Sequence, residues 1–228
     1  MHLTLASPPV PWLAQCITRL KADWLLKSIG TSAFMALFFY GYFAILRSPI
    51  YPVTTMPTTW VDDVITFRPS AFYMYASLWV YTILVPALQP SFSRLTVYGV
   101  GIGTVCATGL LFFFFLPTAV PFASADWFND PALVVLRELD MTGNACPSLH
   151  VASAIFTAIY LNRQLSSMGC PRWLKITSGI WCVLIVYSTI AIKQHVMWDA
   201  LAGLLLGLVC AVLYDTFEQR VLGAEHAA

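Results

Sequence analysis

Six apolar runs most constrain what this chain can fold into; five are near the length of a bilayer-crossing helix, and the fourth is shorter and is expected to begin in a polar cavity. They cover residues 28–46, 71–88, 95–117, 148–162, 173–192 and 198–214. A helix needs about 20 apolar residues to cross the hydrocarbon core of a bilayer. The 228-residue chain is 59% hydrophobic and only 10% charged, a composition typical of membrane proteins. We therefore predict an all-α fold, a single membrane domain over residues 1–228 built as a bundle of six transmembrane helices.

The distribution of cations predicts the orientation of this bundle. If the amino terminus is cytoplasmic, eight lysines and arginines fall on the cytoplasmic side and four on the other. The eight are Arg19, Lys21, Lys27, Arg94, Arg163, Arg172, Lys175 and Arg220, and the four are Arg47, Arg68, Arg137 and Lys193. Cytoplasmic loops carry an excess of Lys and Arg, so we predict that both termini are cytoplasmic. We expect a multi-pass protein of the plasma or inner membrane.

Composition also excludes some functions. A net charge of +1 gives no basic surface for nucleic acid, so no nucleic-acid partner is expected. The six cysteines show no Cys-x-x-Cys spacing, which argues against a zinc site and against a disulfide framework. We predict no metal and no cofactor. Glycines 99, 101 and 103, and the pair Gly203 and Gly207, are interpreted as sites of close helix packing.

Two polar motifs border the apolar runs and carry the candidate chemistry. The first is Asn144-Ala-Cys-Pro-Ser-Leu-His150, and the second is Lys193-Gln-His-Val-Met-Trp-Asp199. His195 and Asp199 are four residues apart and would share one helical face. An acid entering so apolar a run costs about 2.5–3.5 kcal/mol, so Asp199 should face a cavity and a partner. The carboxylate would keep one imidazole nitrogen of His195 protonated and leave the other free to act as a nucleophile or base.

The turn before His150 suggests an anion site. Pro147 suits the first turn of a helix, whose free amides and positive dipole end would bind an anion, and Ser148 would donate to the same oxygen atoms. A phosphate held there would have an imidazole on two sides, one to attack phosphorus and one to protonate the departing oxygen. Asp62, Asp63 and Arg68 are interpreted as parts of a solvated loop.

In order and spacing these motifs resemble the type 2 phosphatidic acid phosphatase superfamily, six-helix membrane enzymes that share an active site with vanadium haloperoxidases. The usual motifs of that family are Lys-x6-Arg-Pro, Pro-Ser-Gly-His and Ser-Arg-x5-His-x3-Asp. The matching segments here are Arg68-Pro69, 147–150 and 188–199, and the resemblance covers about residues 60–214. It departs at Val61, Leu149 and Thr189, which replace the lysine, the glycine and an arginine of these motifs.

The resemblance implies a role for each motif residue. His195 would be the nucleophile that forms a phosphohistidine, Asp199 would orient it, and His150 would be the acid and then the base. The phosphate oxygens would be bound by Ser148, Lys193, Arg68 and Arg137, with Lys193 and Arg137 compensating for the missing cations, and Asp140 and Asn144 would support the loop.

The resemblance predicts a membrane enzyme that cleaves a lipid phosphate ester or diester on the periplasmic, extracellular or lumenal side. The acceptor is water or a lipid alcohol. The form of the motifs is most similar to the branch of inositol phosphorylceramide and sphingomyelin synthases, so a headgroup transferase is the first alternative. A non-enzymatic transporter or ion-relay bundle is the second, although the two halves of the chain show no shared spacing. The sequence leaves the oligomeric state open.

Overall fold

The fold is a bundle of long helices with a short pair of strands at one end. The computed structural model describes residues 10–121 and 143–225, with side chains as far as Val221. Its elements are α1 (Trp12–Lys21), α2 (Trp24–Arg47), β1 (Thr54–Thr55), α3 (Trp60–Val64), a 3-10 turn (Pro69–Ala71), α4 (Phe72–Ala76), α5 (Leu78–Ala87), α6 (Phe92–Phe115), β2 (Thr118–Ala119), α7 (Leu149–Ser167), α8 (Arg172–Ala191) and α9 (Met197–Glu225). The prediction of a mainly helical protein is confirmed.

Five segments of the described chain are long and apolar enough to cross a bilayer. They are Trp24–Arg47, Pro69–Ala87, Phe92–Phe115, Arg172–Ala191 and Met197–Val221, and they coincide with five of the six predicted runs. The remaining run forms α7, which has 19 residues. This helix packs against α5, α6, α8 and α9, so much of its surface meets protein rather than lipid. That position explains how it accommodates buried polar side chains such as Gln164, whose amide donates to the Val85 carbonyl at 3.0 Å.

Two glycines let α7 and α9 approach closely. A Cβ atom on Gly203 would lie 2.4 Å from the carbonyl oxygen of Ser148, and one on Gly207 would lie 2.6 Å from that of Ala152. Real Cβ atoms essentially never come within 3.0 Å of another heavy atom. The predicted small-residue packing of the last helix is therefore confirmed.

The glycines of α6 behave differently from the prediction. Of the three predicted positions 99, 101 and 103, only Gly101 is in close contact, since a Cβ there would lie 2.5 Å from the Tyr214 ring. Gly99 faces open space, and Gly103 would make only an ordinary contact with Phe34 at 3.7 Å. Close packing at all three positions was thus a wrong prediction, because successive odd positions on a helix point in different directions and only one of them faces α9.

The two ends of the bundle differ in their polar contacts. At one end, Arg163 of α7 pairs with Asp215 of α9. Helix α1 packs at the same end, where the Cys16 sulfur lies 3.7 Å from the Met168 sulfur. The turn that carries His195 joins α8 to α9 at the opposite end. Both ends of the described chain therefore lie away from His195.

The orientation of this bundle in the membrane can be tested with engineered thiols. The native thiols of Cys146 and Cys170 are poor reporters, because the thiolate is the form that reacts with a maleimide. Burial, together with the negative charge of Asp199, raises the pKa of Cys146 to about 11. Burial also raises the pKa of Cys170. In a cysteine-free variant we expect the exposed Thr58→Cys to be labelled by an impermeant maleimide in sealed cells. The exposed Gln219→Cys should be labelled only after permeabilisation. The opposite pattern would place the amino terminus outside.

Candidate functional site

His195 lies in the turn between α8 and α9, and its ring is held by two acceptors. Its Nδ1 is 3.0 Å from the carbonyl oxygen of Ala145 and 3.6 Å from Oδ2 of Asp199. Because both neighbours accept, Nδ1 carries the proton of the neutral ring and Nε2 keeps its lone pair. The residue is only 7% exposed, yet it forms part of a cavity wall.

Asp199 is fully buried in the first turn of α9. Its Oδ2 accepts a hydrogen bond from the Val196 N–H at 2.9 Å, which caps the helix in the manner of a capping-box acid. Its Oδ1 has no hydrogen-bond partner among the residues that the structure describes. A buried carboxylate oxygen without a partner is costly, so Oδ1 is available for a further hydrogen bond.

His150 is the second residue of α7 and belongs to the same cavity wall. Its ring stacks on Tyr75, with 3.7 Å between ring centroids and 7° between planes, and Trp79 meets it edge-on. Its Nε2 is 3.0 Å from the carbonyl oxygen of Tyr75. That carbonyl is an acceptor, so Nε2 donates in this conformation.

The loop before α7 is fixed by β2. The hydroxyl oxygen of Thr118 accepts from the Cys146 N–H at 2.7 Å, and its carbonyl accepts from the Ala145 N–H at 3.1 Å. These bonds hold the Ala145 carbonyl against His195. The side-chain amide of Asn144 donates to the Tyr42 hydroxyl of α2, a contact compatible with the expected loop support. Asp140, the other residue expected to support this loop, lies outside the described residues.

Ser148 is the N-cap of α7, and its hydroxyl oxygen accepts from the Val151 N–H at 3.3 Å. Its backbone N–H donates to the Asp199 carbonyl at 3.0 Å. Because the cap is Ser148, Pro147 precedes the helix, and its predicted position in the first turn was wrong. The Ser148 side chain is fully buried and is not among the residues that line the cavity, so its hydroxyl hydrogen would reach a ligand only after a local rearrangement.

The predicted cations are placed differently from one another. The Lys193 ammonium donates to the carbonyl oxygens of Asp62 and Ile65, each at 2.6 Å. Arg68 is exposed, and its backbone N–H donates to the Ala191 carbonyl at the end of α8. The structure thus brings the backbone of Arg68 to the element that precedes His195. Arg137 lies outside the described residues.

Asp62 is a residue whose importance the sequence reading missed. It was interpreted as part of a solvated loop, but it is only 1% exposed. Its Oδ2 accepts from the N–H and the hydroxyl of Thr59, and its Oδ1 accepts from the Met197 N–H at 2.8 Å. The spacing Thr59-x-x-Asp62 is that of a capping box and could have been noticed. Asp63, in contrast, is exposed as expected.

The three positions that depart from the usual motifs have structural roles. Thr189 is fully buried, and its carbonyl accepts from the N–H groups of Gln194 and His195, each at 3.1 Å. Leu149 packs against Gly109 of α6 and lines the cavity beside His150. Val61 lies half-buried in α3, and its carbonyl accepts from the Ile65 N–H at 2.9 Å at the end of that helix.

The cavity has a volume of about 790 Å³ and lies between α2, α4, α5, α6 and α7. Its polar lining includes His150, His195, Asn144, Gln194 and Ser153, and most of the remaining lining is aromatic or aliphatic. The lining extends along α2 from Leu26 to Phe43. At 1.5 Å per residue this is a length of about 25 Å, most of the thickness of a bilayer's hydrocarbon core. The shape therefore suits a long apolar chain with its polar end at the two histidines.

Over residues 10–121 and 143–225, no three His, Cys, Asp or Glu side chains are grouped closely enough to ligate a metal ion.

Fold and site together define a polytopic helical bundle with two cavity-lining histidines at one end, one of them beside a buried aspartate. The sequence model of the PAP2 superfamily matches residues 95–221, more than half of the chain. The chain belongs to the PAP2 superfamily, whose members are phosphatases and phosphotransferases. No curated protein and no solved structure matches it. The matched segment contains both histidines and Asp199, whereas Asp62, Arg68 and α3 precede it.

Proposed function

We propose that this protein is an integral-membrane lipid phosphatase or phosphotransferase that works, without a metal ion, through a phosphohistidine on His195. The observation that carries the proposal is the environment of the His195 ring. Its Nδ1 faces two acceptors, so Nε2 is the nitrogen with a lone pair, and the ring shares its cavity with His150. This is the arrangement required of an imidazole nucleophile with a second imidazole available for proton transfer.

The proposed reaction has two steps that use the same two rings. In the first step, Nε2 of His195 attacks phosphorus, the bond from phosphorus to the leaving oxygen breaks, and protonated His150 gives its proton to that oxygen. In the second step, water or a lipid alcohol gives a proton to His150 and attacks the phosphohistidine, which releases His195. Asp199 stabilises the positive charge that the His195 ring acquires while it bonds to phosphorus.

Charge on the phosphate oxygens must also be stabilised, and this contribution is usually large in phosphoryl transfer. We propose Arg68, Ser148, Lys193 and Arg137 for this role. The exposed Arg68 side chain starts from a backbone tied to Ala191, near the site. Lys193 would have to leave the carbonyls of Asp62 and Ile65 to reach a phosphate.

The acid role of His150 requires a change from the conformation described. Its Nε2 proton is donated to the Tyr75 carbonyl, so it is not available to a leaving group there. We propose that a bound phosphate attracts the ring away from Tyr75. Protonation and rotation of His150 would then accompany substrate binding.

A lipid is the proposed substrate because the cavity is long and apolar. For soluble phosphate monoesters of increasing alkyl chain length, we expect kcat/KM to rise by up to about fourfold per methylene, since burying one is worth about 0.8 kcal/mol. In the Gly99→Leu variant, kcat/KM should stop rising with chain length for the longer chains only. A Cβ at Gly99 meets open space, so a larger side chain fits, and Gly99 lines the cavity. It lies ten residues, or about 15 Å along α6, from Gly109, which packs against Leu149.

Gly179→Leu is the matched control, because Gly179 also faces open space but lies on α8 and is not part of the cavity lining. If Gly99→Leu and Gly179→Leu showed the same chain-length profile, the cavity would not be the chain site.

Hydrolysis and transfer can be separated by product analysis. Purified protein would be incubated with lipid phosphates and diesters, with and without a ceramide or diacylglycerol acceptor, and products identified by mass. Free phosphate alone would identify a phosphatase. A new phospholipid would identify a headgroup transferase similar to the sphingomyelin and inositol phosphorylceramide synthases, the alternative supported by the Pro-Ser-Leu-His and Lys-Gln-His motifs. No turnover of any substrate by folded protein would contradict the proposal.

We propose that this reaction occurs on the periplasmic, extracellular or lumenal side of the plasma or inner membrane. The eight-to-four distribution of cations supports this side. The thiol-labelling pattern of Thr58→Cys and Gln219→Cys decides it.

A further inference from the structure

The segment containing α3 contacts the His195 turn from two directions. Oδ1 of Asp62 accepts from the backbone N–H of Met197 at 2.8 Å. In return, the Lys193 ammonium donates to the carbonyls of Asp62 and Ile65, each at 2.6 Å. His195 lies midway between Lys193 and Met197, two residues from each. The α3 clamp, defined as these three hydrogen bonds, therefore holds both sides of the turn that presents the proposed nucleophile.

Each half of the clamp satisfies a group that would otherwise be costly. Met197 is the first residue of α9, so its N–H lacks an acceptor within the helix, and a carboxylate at this positive end is favourable. Lys193 has a φ of 61°, a left-handed conformation that residues other than glycine adopt only where the surroundings hold it. The two carbonyls that bind its ammonium provide such a restraint.

The carboxylate of Asp62 is almost completely buried and has both oxygens bonded. Oδ2 is used within α3, where it completes the capping box with Thr59. Oδ1 is the atom that reaches another element. One side chain thus fixes α3 and attaches it to α9, and loss of its charge would weaken the attachment without removing any group from the cavity lining.

We infer that Asp62 is a positioning residue for phosphoryl transfer: through Met197 and Lys193 it fixes the place of the His195 ring. The inference rests on the proposed function of His195. A ring shift on the order of 1 Å can cost about 10²-fold in rate, so a hydrogen bond far from phosphorus can matter this much. Asp62 lies outside the segment matched by the superfamily model, so membership of the superfamily does not assign it a role.

Asp62→Asn is the principal test, measured as the rate of phosphohistidine formation in single turnovers at several substrate concentrations. We expect the maximal rate to fall between about tenfold and 10²-fold, with the concentration for half-maximal rate unchanged, because Asp62 does not line the cavity. Lys193→Met tests the other half of the clamp. If Lys193 acts in the clamp, this variant should also lower the maximal rate. A raised half-maximal concentration would instead assign Lys193 to the phosphate and would overturn its part in the clamp.

Two controls separate positioning from general folding. Thr59→Ala removes one bond to Oδ2 and weakens the capping box, but it leaves the bond to Met197. Asp63→Asn changes the adjacent, exposed acid. Both should phosphorylate His195 at close to the wild-type rate, and thermal unfolding of all four variants would be recorded. We expect Asp62→Asn to unfold at the same temperature as Thr59→Ala but to form phosphohistidine much more slowly.

The outcomes keep the two ideas apart. If the wild-type protein forms no phosphohistidine, the proposed function fails. If the wild type is phosphorylated and both Asp62→Asn and Lys193→Met match its rate, only the α3 clamp is overturned. The clamp is also overturned if Thr59→Ala slows phosphorylation as much as Asp62→Asn, since the loss would then come from α3 alone.

Discussion

His195→Ala is expected to abolish the covalent phosphoenzyme with every substrate, whereas His150→Ala should still form it once from a substrate with a good leaving group. The two replacements differ because Nε2 of His195 supplies the electron pair that bonds to phosphorus, and His150 supplies only a proton. Nitrophenolate departs without protonation, so His150→Ala should release one equivalent of nitrophenol from an aryl phosphate. The variant should then stall, because the acceptor has lost its base.

The expected sizes make this contrast measurable. A general acid or base typically contributes about 10²–10⁴ in rate, so the second step in His150→Ala should be slower by that factor. Rapid mixing would measure the burst, and acid-labile, base-stable phosphate on the trapped protein would identify phosphohistidine. Asp199→Ala is the intermediate case. In this variant the His195 ring keeps its other acceptor, the Ala145 carbonyl at 3.0 Å, so adduct formation should be slowed rather than lost.

A phosphorylated His195→Ala protein would remove His195 from the nucleophilic role. Equal loss of the burst in His150→Ala and His195→Ala would also contradict the assignment, since it would indicate that the histidines act as one structural unit. Circular dichroism of each purified variant is the control that separates these outcomes from misfolding.

The sequence predicted well those parts of the fold and the site that depend on local patterns. Five apolar runs became long helices, because hydropathy over about 20 residues determines whether a helix can lie in lipid. The proximity of His195 and Asp199 was predicted, but for the wrong reason: His195 precedes α9, so the two residues do not share a helical face. The capping bond from the Val196 N–H to Asp199 places the carboxylate beside the ring, with Oδ2 3.6 Å from Nδ1. Gly203 and Gly207 could be assigned to packing because small residues four apart lie on one face of a helix. Each of these predictions uses contacts within one element or one face.

The parts that sequence could not give depend on contacts between distant segments. Asp62 and Met197 are 135 residues apart, and no local sequence pattern around either residue predicts their contact. The main partner of the His195 ring is a backbone carbonyl, that of Ala145, and backbone atoms carry no sequence signal. Ser148 was predicted to donate to a phosphate, but its capping bond, in which the hydroxyl oxygen accepts from the Val151 N–H, was not predicted. The cavity is likewise formed jointly by several helices.

Gly203→Ala is expected to damage both stability and activity, because the contact it would create is with backbone. A Cβ at this position would lie 2.4 Å from the Ser148 carbonyl oxygen, so α7 and α9 must move apart by at least 0.6 Å, the difference from the 3.0 Å that real Cβ atoms require. Overpacking of this kind costs about 1–3 kcal/mol. It also acts on the site, since the Ser148 N–H donates to the Asp199 carbonyl across the same interface.

We therefore expect Gly203→Ala to lower the rate of phosphohistidine formation by up to about 10²-fold and to lower the unfolding temperature. Gly179→Ala is the control, because Gly179 faces open space on α8 and alanine is the better helix former by about 1 kcal/mol. That variant should be as active as the wild type and at least as stable. If Gly203→Ala matched Gly179→Ala in both activity and stability, α7 and α9 could separate without disturbing His150 and Asp199. The spacing between the two helices would then not determine the geometry of the site.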